Sequence, residues 1–435
     1  MTEIFSDRQR TQRMLDFEAG LARATANGGI APEKAAATIE AACRADLYSI
    51  EALGREATAS GNLAIPLVRA LTNEVAKTDP KAAGFVHWGA TSQDVIDTGM
   101  VLQLRSAWEI FTADLDWLAG ALATRAKEYA SLAMAGRTWL QQAPPVTLGL
   151  KFAGWLDAVD RHRARLREAR ARVMVVQFGG AVGTLAALGN RGEKIAAALA
   201  KELKLELPAI PWHANRDRFA EVAAAMGLLA GTLGKIARDV SLLMQTEVGE
   251  AFEPAAPGRG GSSTMPHKRN PVASATVLAA AIRVPALVSV MLSAMVQEHE
   301  RGLGGWQAEW ETLPEICLLT HGALARTAEI VAGLETDAAR MAANLKISRG
   351  MIFAESVVFA LGEKIGRQQA LGIVEEACRE ATSKNRELAS VLAEIPSVAG
   401  IVSREELAKR TEPGAYLGAA RSWIEAVLEA HKDSA

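Results

Sequence analysis

Residues 257–271 read Pro-Gly-Arg-Gly-Gly-Ser-Ser-Thr-Met-Pro-His-Lys-Arg-Asn-Pro, the densest set of chemically able side chains in the sequence. Successive N–H groups in a glycine-rich turn form a concavity that favours anions. A helix starting near Pro271 adds the positive end of its dipole. Lys268 supplies a cation, Asn270 amide donors, and Ser262 and Ser263 hydroxyls. Such a set suits carboxylates. No Gly-Lys-[Ser/Thr] follows the glycines and no strand precedes them, so the segment is not a P-loop. Glycine and serine alone would predict only a flexible connection; the added cation, amide and hydroxyls point to a binding loop.

Elements able to carry that loop are visible on both sides of it. Val101, Leu104, Trp108, Phe111, Leu115, Leu118 and Leu122 alternate spacings of three and four, as do Phe219, Val222, Met226, Leu229, Leu233, Ile236, Val240 and Leu243. Each series makes one apolar stripe on a long helix and favours shallow, bundle-like crossing. Long helices are expected over 94–130, 146–173, 215–249, 271–301 and 306–345. Thr91 and Asp94 match the [ST]-x-x-[DE] capping pattern at the first of these. Residues 272–296 are apolar all round apart from Arg283, beside Pro285, which predicts the most buried helix of a bundle rather than a membrane span. No alternating run is long enough for a substantial sheet. The expected fold is all-α, with an N-terminal helical domain over 1–93, a central long-helix bundle over 94–345 carrying the loop 257–271, and a C-terminal helical domain over 346–435.

The whole chain agrees with this. Its 435 residues carry 48 basic and 50 acidic side chains, a net charge of −2. That balance gives no footprint for nucleic acid. Alanine is roughly a fifth of the chain and is the best helix former. Three dispersed cysteines, Cys43, Cys317 and Cys378, suit a reducing compartment and no zinc pattern. The charged start, MTEIFSDRQR, lacks an apolar signal segment, so a cytoplasmic protein without a membrane partner is expected.

The segment Gly261-Ser262-Ser263-Thr264-Met265-Pro266-His267-Lys268-Arg269-Asn270-Pro271 resembles the GSSxMPxKxN signature of the fumarase/aspartase superfamily. Residues 85–98, FVHWGATSQDVIDT, resemble its second segment in the adenylosuccinate-lyase-like form, and Gly136-Arg137-Thr138-Trp139-Leu140-Gln141 resembles its GRTH segment with one change. The resemblance implies a three-domain, homotetrameric all-α fold with active sites shared between subunits and no cofactor or metal. It implies Ser262 and Lys268 as catalytic residues. It places His87, Thr91, Ser92, Arg137, Thr138, Trp139, Gln141, Ser263, Met265, Asn270 and Arg301 around the substrate.

Two departures bear on the reaction. The superfamily's lyases use the His of GRTH, backed by a Glu five residues after the signature Asn, on the leaving-group side. This chain has Trp139 and Ala275 there. Loss of both is coherent with the superfamily's cycloisomerising members, in which a carboxylate of a muconate adds to a conjugated double bond. That nucleophile is already ionised near neutral pH and needs no base. Trp306 and Trp310 stand where adenylosuccinate lyases carry phosphate-binding Ser and Arg, and Trp forms no bidentate phosphate bonds. A nucleotide substrate is therefore disfavoured, and the resemblance to the cycloisomerising members implies a small tricarboxylate. A carbanion-like charge beside one carboxylate would be stabilised electrostatically and protonated by Ser262 or Lys268, the latter if desolvation lowers its pKa.

Other residues read more plainly. Trp139, Trp306 and Trp310 are by default core residues. His213 and His267 have no metal-ligand spacing. The glycines of 178–184 follow a helix and lack a dinucleotide-binding context. A sulfonated muconate, a succinyl adduct releasing fumarate, and a non-catalytic bundle protein are the competing readings.

Overall fold

The computed structural model describes every residue except Arg259, Ser262, Ser263 and Ala435, and the backbone alone of Ser434. Ser262 and Ser263, expected at the site, therefore lie outside the described residues. Among the described residues there are eighteen α-helices and two two-stranded sheets, an all-α protein. The elements that carry the site are six helices, α1 (Asp7–Asn27), α2 (Ser92–Glu128), α3 (Leu148–Val173), α4 (Asp217–Leu243), α5 (Val272–Ser293) and α6 (Gly305–Gly333), and four strands, β1 (Ala133–Thr138), β2 (Gln141–Thr147), β3 (Ala251–Phe252) and β4 (Glu335–Thr336).

Both apolar stripes are buried along their whole length, from Val101 to Leu122 on α2 and from Phe219 to Leu243 on α4. Three of the five long helices end earlier than expected, each where glycine or pairing intervenes. α4 stops before Gly249, which sits at φ +60°. α5 stops at Ser293, ahead of His299 at φ +48° and Gly304 at φ +93°. α6 gives way to β4, which pairs antiparallel with β3.

α5 overturns the expectation that it is the most buried helix. Only 22% of its most apolar stretch is buried, against 56% for α4. Val277, Ala280, Val284 and Met291 are packed, whereas Ile282 is 74% exposed and Leu292 51%. An all-round apolar pattern requires cover on every side; this chain covers one side. α4 and α5 are both long and apolar enough to cross a membrane by length and composition. The one charge of α5, Arg283, pairs with Glu315 of α6.

The chain divides into two compact units: Met1–Leu115, His162–Gly231 and Ala279–Leu324 in one, Asp116–Arg161, Thr232–Leu278 and Ala325–Ala435 in the other. The first has a buried charge cluster. Arg216 donates to Asp97 and Glu309, and Trp306 Nε1 donates to Asp97 Oδ1 at 3.0 Å. Burial disfavours the Arg216 charge, but the two carboxylates hold its pKa above the ordinary value. The second unit contains the β1–β2 hairpin. Its register shifts between Ala135 and Gly136, and a Cβ at Gly136 would lie 2.4 Å from Pro144 O, so only glycine fits. A separate core over residues 357–407 includes Val357, Leu361, Val374, Leu388 and Leu392.

Candidate active site

Four expected site residues share the first unit, arranged around the start of α2. Asp94, in its first turn, is a fully buried carboxylate. Its Oδ2 accepts from the backbone N–H groups of Thr91 and Gly180 at 3.0 Å each. Its Oδ1 accepts from Gly179 N at 3.0 Å and Gln177 Nε2 at 3.1 Å, and lies 2.7 Å from His213 Nε2. Thr98 adds a further tie, its hydroxyl donating to Gln177 O at 2.8 Å. The 177–180 segment is thus stitched to the head of α2. Half of the capping box is present, since Asp94 accepts from Thr91 N. The Thr91 hydroxyl serves a different partner: it accepts from Arg301 Nη1 at 2.8 Å. Arg301 Nε also donates to Gln93 Oε1 at 3.1 Å, and its guanidinium lies over the Trp306 ring.

Ser92 is the first residue of α2 and half-buried. His87 sits at φ +59°, with Nδ1 2.6 Å from Glu18 Oε1 on α1. Burial opposes its charge, yet Glu18, by its charge and hydrogen bond, and Asp94 together raise its pKa above the ordinary 6.5. Trp306 is buried and meets Trp310 edge-on, ring centroids 4.8 Å apart.

Seven other expected residues lie in the second unit. Asn270 N donates to Gly260 O at 2.8 Å and its side chain to Gly261 O at 3.4 Å, tying the two ends of the loop together. A Cβ at Gly260 would lie 2.7 Å from Asn270 O, so this closure requires glycine. A turn brings Lys268 N to Met265 O at 3.0 Å. The Lys268 side chain is exposed and makes no hydrogen bond or ion pair with any described residue. Met265 is 43% exposed. Arg269 anchors the loop instead, donating to Glu335 Oε2 and to Glu253 O.

The positive end of α5 is not open to a ligand, contrary to the sequence expectation. Glu253, buried, accepts from Ala273 N at 3.0 Å and Ser274 N at 2.7 Å, so a carboxylate of the chain already occupies the helix start. Arg137 is likewise engaged: both terminal nitrogens donate to Glu250 at 2.8 Å, and Asn344 Nδ2 donates to the same carboxylate. This fixes the hairpin one pair short of its turn, since Arg137 lies opposite Gln142, and Thr138, Trp139, Leu140 and Gln141 form an exposed tip. Trp139 is 98% exposed, against its expected burial. Trp139 and Leu140 both have positive φ, 52° and 63°, a turn geometry that normally selects glycine or asparagine.

The sequence reading missed the carboxylates that hold these groups: Glu18, Glu250 and Glu253. One signal existed for Glu18, which interrupts the apolar face formed by Met14, Leu21 and Ala22 of α1. Among the described residues no group of three or more His, Cys, Asp or Glu side chains converges as a metal would need. What the described groups can do is bind anions: Arg301, His87 and the Thr91 hydroxyl in one unit, Lys268 and Asn270 in the other.

Residues 1–286 match the lyase family, and residues 350–427 match the adenylosuccinate lyase C-terminus family. Over 431 residues the chain is 56% identical to a 3-carboxy-cis,cis-muconate cycloisomerase of Pseudomonas aeruginosa, spanning 99% of this chain and 94% of that one. It is 52% identical over 429 residues to the protein of the same name from Bradyrhizobium diazoefficiens, spanning 99% and 95%. The crystal structure of 3-carboxy-cis,cis-muconate lactonizing enzyme from Pseudomonas putida is similar with a TM-score of 0.95 and 52% identity, covering 100% of this chain and 97% of that one. By its match over residues 1–286 and its 52–56% identity to these relatives, the chain belongs to the lyase family of the fumarase/aspartase superfamily.

Proposed function

We propose that this chain converts 3-carboxy-cis,cis-muconate to 4-carboxymuconolactone without a cofactor, a step of the protocatechuate branch of the β-ketoadipate pathway. The observation that carries the reading is the paired departure at Trp139 and Ala275. A lyase must protonate a poor leaving group, and its His and Glu serve that need. Here an exposed indole and a methyl group stand instead, and neither transfers a proton. The relatives at 52–56% identity that bear the cycloisomerase name agree with this.

The chemistry follows from the groups present. One carboxylate oxygen of the substrate adds to the carbon bearing the 3-carboxyl group, closing the lactone. The double-bond electrons move to the neighbouring carbon, and the charge spreads into the carboxylate attached there. A proton from Lys268 or Ser262 then arrives at that carbon, so the trianion takes up one proton to become a dianionic lactone, and the donor regains its proton from solvent. Arg301, Thr91, Ser92, His87, Thr138 and Asn270 hold the substrate's three carboxylates, and Lys268 neutralises the developing charge. Removing one such stabiliser typically costs 10²–10³-fold in rate, on the order of 3–4 kcal/mol.

The same reading includes a cytoplasmic homotetramer whose active sites draw segments from several subunits, and the division into 1–93, 94–345 and 346–435. The exposed apolar side of α5, with Ile282 and Leu292, supports assembly, because such a face is otherwise left in water at about 25 cal/mol per Å². The test is the ultraviolet absorbance of 3-carboxymuconate with purified protein and a chelator present. Decay with lactone formation is expected. Absence of decay, faster decay of the 3-sulfo analogue, or release of fumarate from a succinyl adduct would replace the reading.

A further inference from the structure

Glu18 is a buried carboxylate with no task in the chemistry above. Its side chain is 1% exposed, and one oxygen lies 2.6 Å from His87 Nδ1. The other oxygen, Oε2, is buried with no hydrogen-bond partner. A buried carboxylate is costly unless paired, and among the described residues Glu18 is hydrogen-bonded by His87 alone. His87 in turn is held in a backbone region that non-glycine residues rarely adopt. The turn after it is fixed by Gly89, where a Cβ would lie 2.7 Å from Leu188 Cδ2. Four residues beyond His87, Thr91 receives Arg301.

We propose that Glu18 is a positioning residue for the reaction: it keeps Nδ1 of His87 protonated, so that the ring works through Nε2 as a cation receiving a substrate carboxylate. This rests on the tricarboxylate reading of the substrate. An ionised Glu18 only accepts, so Nδ1 carries hydrogen in every state of the ring. Nε2 then presents either a lone pair, which repels a carboxylate, or an N–H, which binds it. Two charged groups face His87, Glu18 from α1 and Asp94 from α2, and both are negative. Asp94 is in contact with five donors, His213 among them. The remaining charge of this cluster, Arg301, is engaged with Thr91 and Gln93. Neutralising a trianion at this end of the site therefore needs a second cation, and His87 is the group placed to be one.

Glu18→Gln keeps the shape and removes the charge. Histidine Cε1 hydrogen–deuterium exchange, followed by mass spectrometry of the His87 peptide from the full-length protein, reports the ring's titration midpoint without turnover. The wild-type midpoint is expected above the ordinary 6.5, falling by about one pH unit or more in Glu18→Gln. In kinetics, KM at about pH 7.5 rises roughly tenfold in Glu18→Gln and recovers toward wild type about one unit lower, while kcat changes little. Glu18→Asp restores part of the effect, and His87→Asn shows the raised KM at every pH. An unmoved midpoint in Glu18→Gln, a wild-type midpoint at or below 6.5, or a KM increase equal at all pH values overturns the proposal. The wild-type midpoint decides even if Glu18→Gln does not fold. A protein that leaves 3-carboxymuconate untouched defeats the assigned reaction, while the exchange midpoint still judges the pairing.

Discussion

Replacing Asp94 with asparagine tests how the head of α2 is held. The carboxylate meets two donors at Oδ2 (Thr91 N, Gly180 N) and three at Oδ1 (Gly179 N, Gln177 Nε2, His213 Nε2). An amide offers one acceptor and one donor. With its oxygen on the three-donor side, its NH₂ confronts Thr91 N and Gly180 N. Turned over, it confronts Gly179 N and the Gln177 amide, which cannot flip freely because Gln177 Oε1 accepts from Trp212 N at 2.6 Å. Two buried or half-buried donors lose their acceptor either way. At about 1–3 kcal/mol each, the local cost is about 2–6 kcal/mol. Asp94 is fully buried, so solvent does not screen the loss. Hydrogen-exchange mass spectrometry on peptides covering residues 88–94 and 177–182 reads this directly. An opening free energy lowered by about 2 kcal/mol or more speeds exchange roughly 30-fold or more. KM rises with it, because Thr91 and Arg301 shift together. Exchange within threefold of wild type, with KM unchanged, would refute the reasoning.

Four further outcomes are expected. Gly136→Ala drives a Cβ to 2.4 Å from the Pro144 carbonyl and lowers stability by about 2–3 kcal/mol; a thermal midpoint equal to wild type contradicts it. Of Lys268→Ala and Ser262→Ala, at least one lowers kcat about 100-fold; near-wild-type turnover in both removes the proton-donor assignment. Trp139→His lies on an exposed tip, so thermal stability stays within about 0.5 kcal/mol while lactonisation slows; a large stability loss would make Trp139 a structural residue. The raised pKa of His87 stabilises the fold fully below its ordinary 6.5 and less as pH rises through the folded value. Thermal midpoints across that window should fall in wild type and lose this component in His87→Asn.

How much was legible in sequence varied with the range of the interaction. The stripes on α2 and α4 are local, each residue three or four from the next, and the helices followed. The Thr91–Asp94 pattern was legible as a cap, but only one half formed, because Arg301, 210 residues away, claimed the hydroxyl. Glycine at 260 signalled a loop; its actual requirement is the close approach of the Asn270 carbonyl. The start of α5 was read as free for an anion because Glu253 lies 20 residues upstream of Ala273, outside any helical window. Burial of α5 failed for a related reason. Hydropathy states what must be covered, and coverage depends on surfaces that the local pattern does not name.

The buried acids show a division of labour suited to a trianionic substrate. Asp94 and Glu253 are spent on backbone N–H groups, Glu250 on Arg137 and Asn344, and Glu18 on His87. Each negative charge is neutralised inside the fold, where low dielectric makes an unpaired carboxylate most costly. The cations Lys268 and Arg301 remain exposed or half-buried. In the superfamily's lyases a carboxylate backs the acid; this chain has Ala275 at that position and so no further buried charge there. In the proposed reaction, the loss of the proton-transfer pair and the confinement of carboxylates to scaffolding serve the same end: three anionic groups meet donors and cations, and the one that attacks is already ionised.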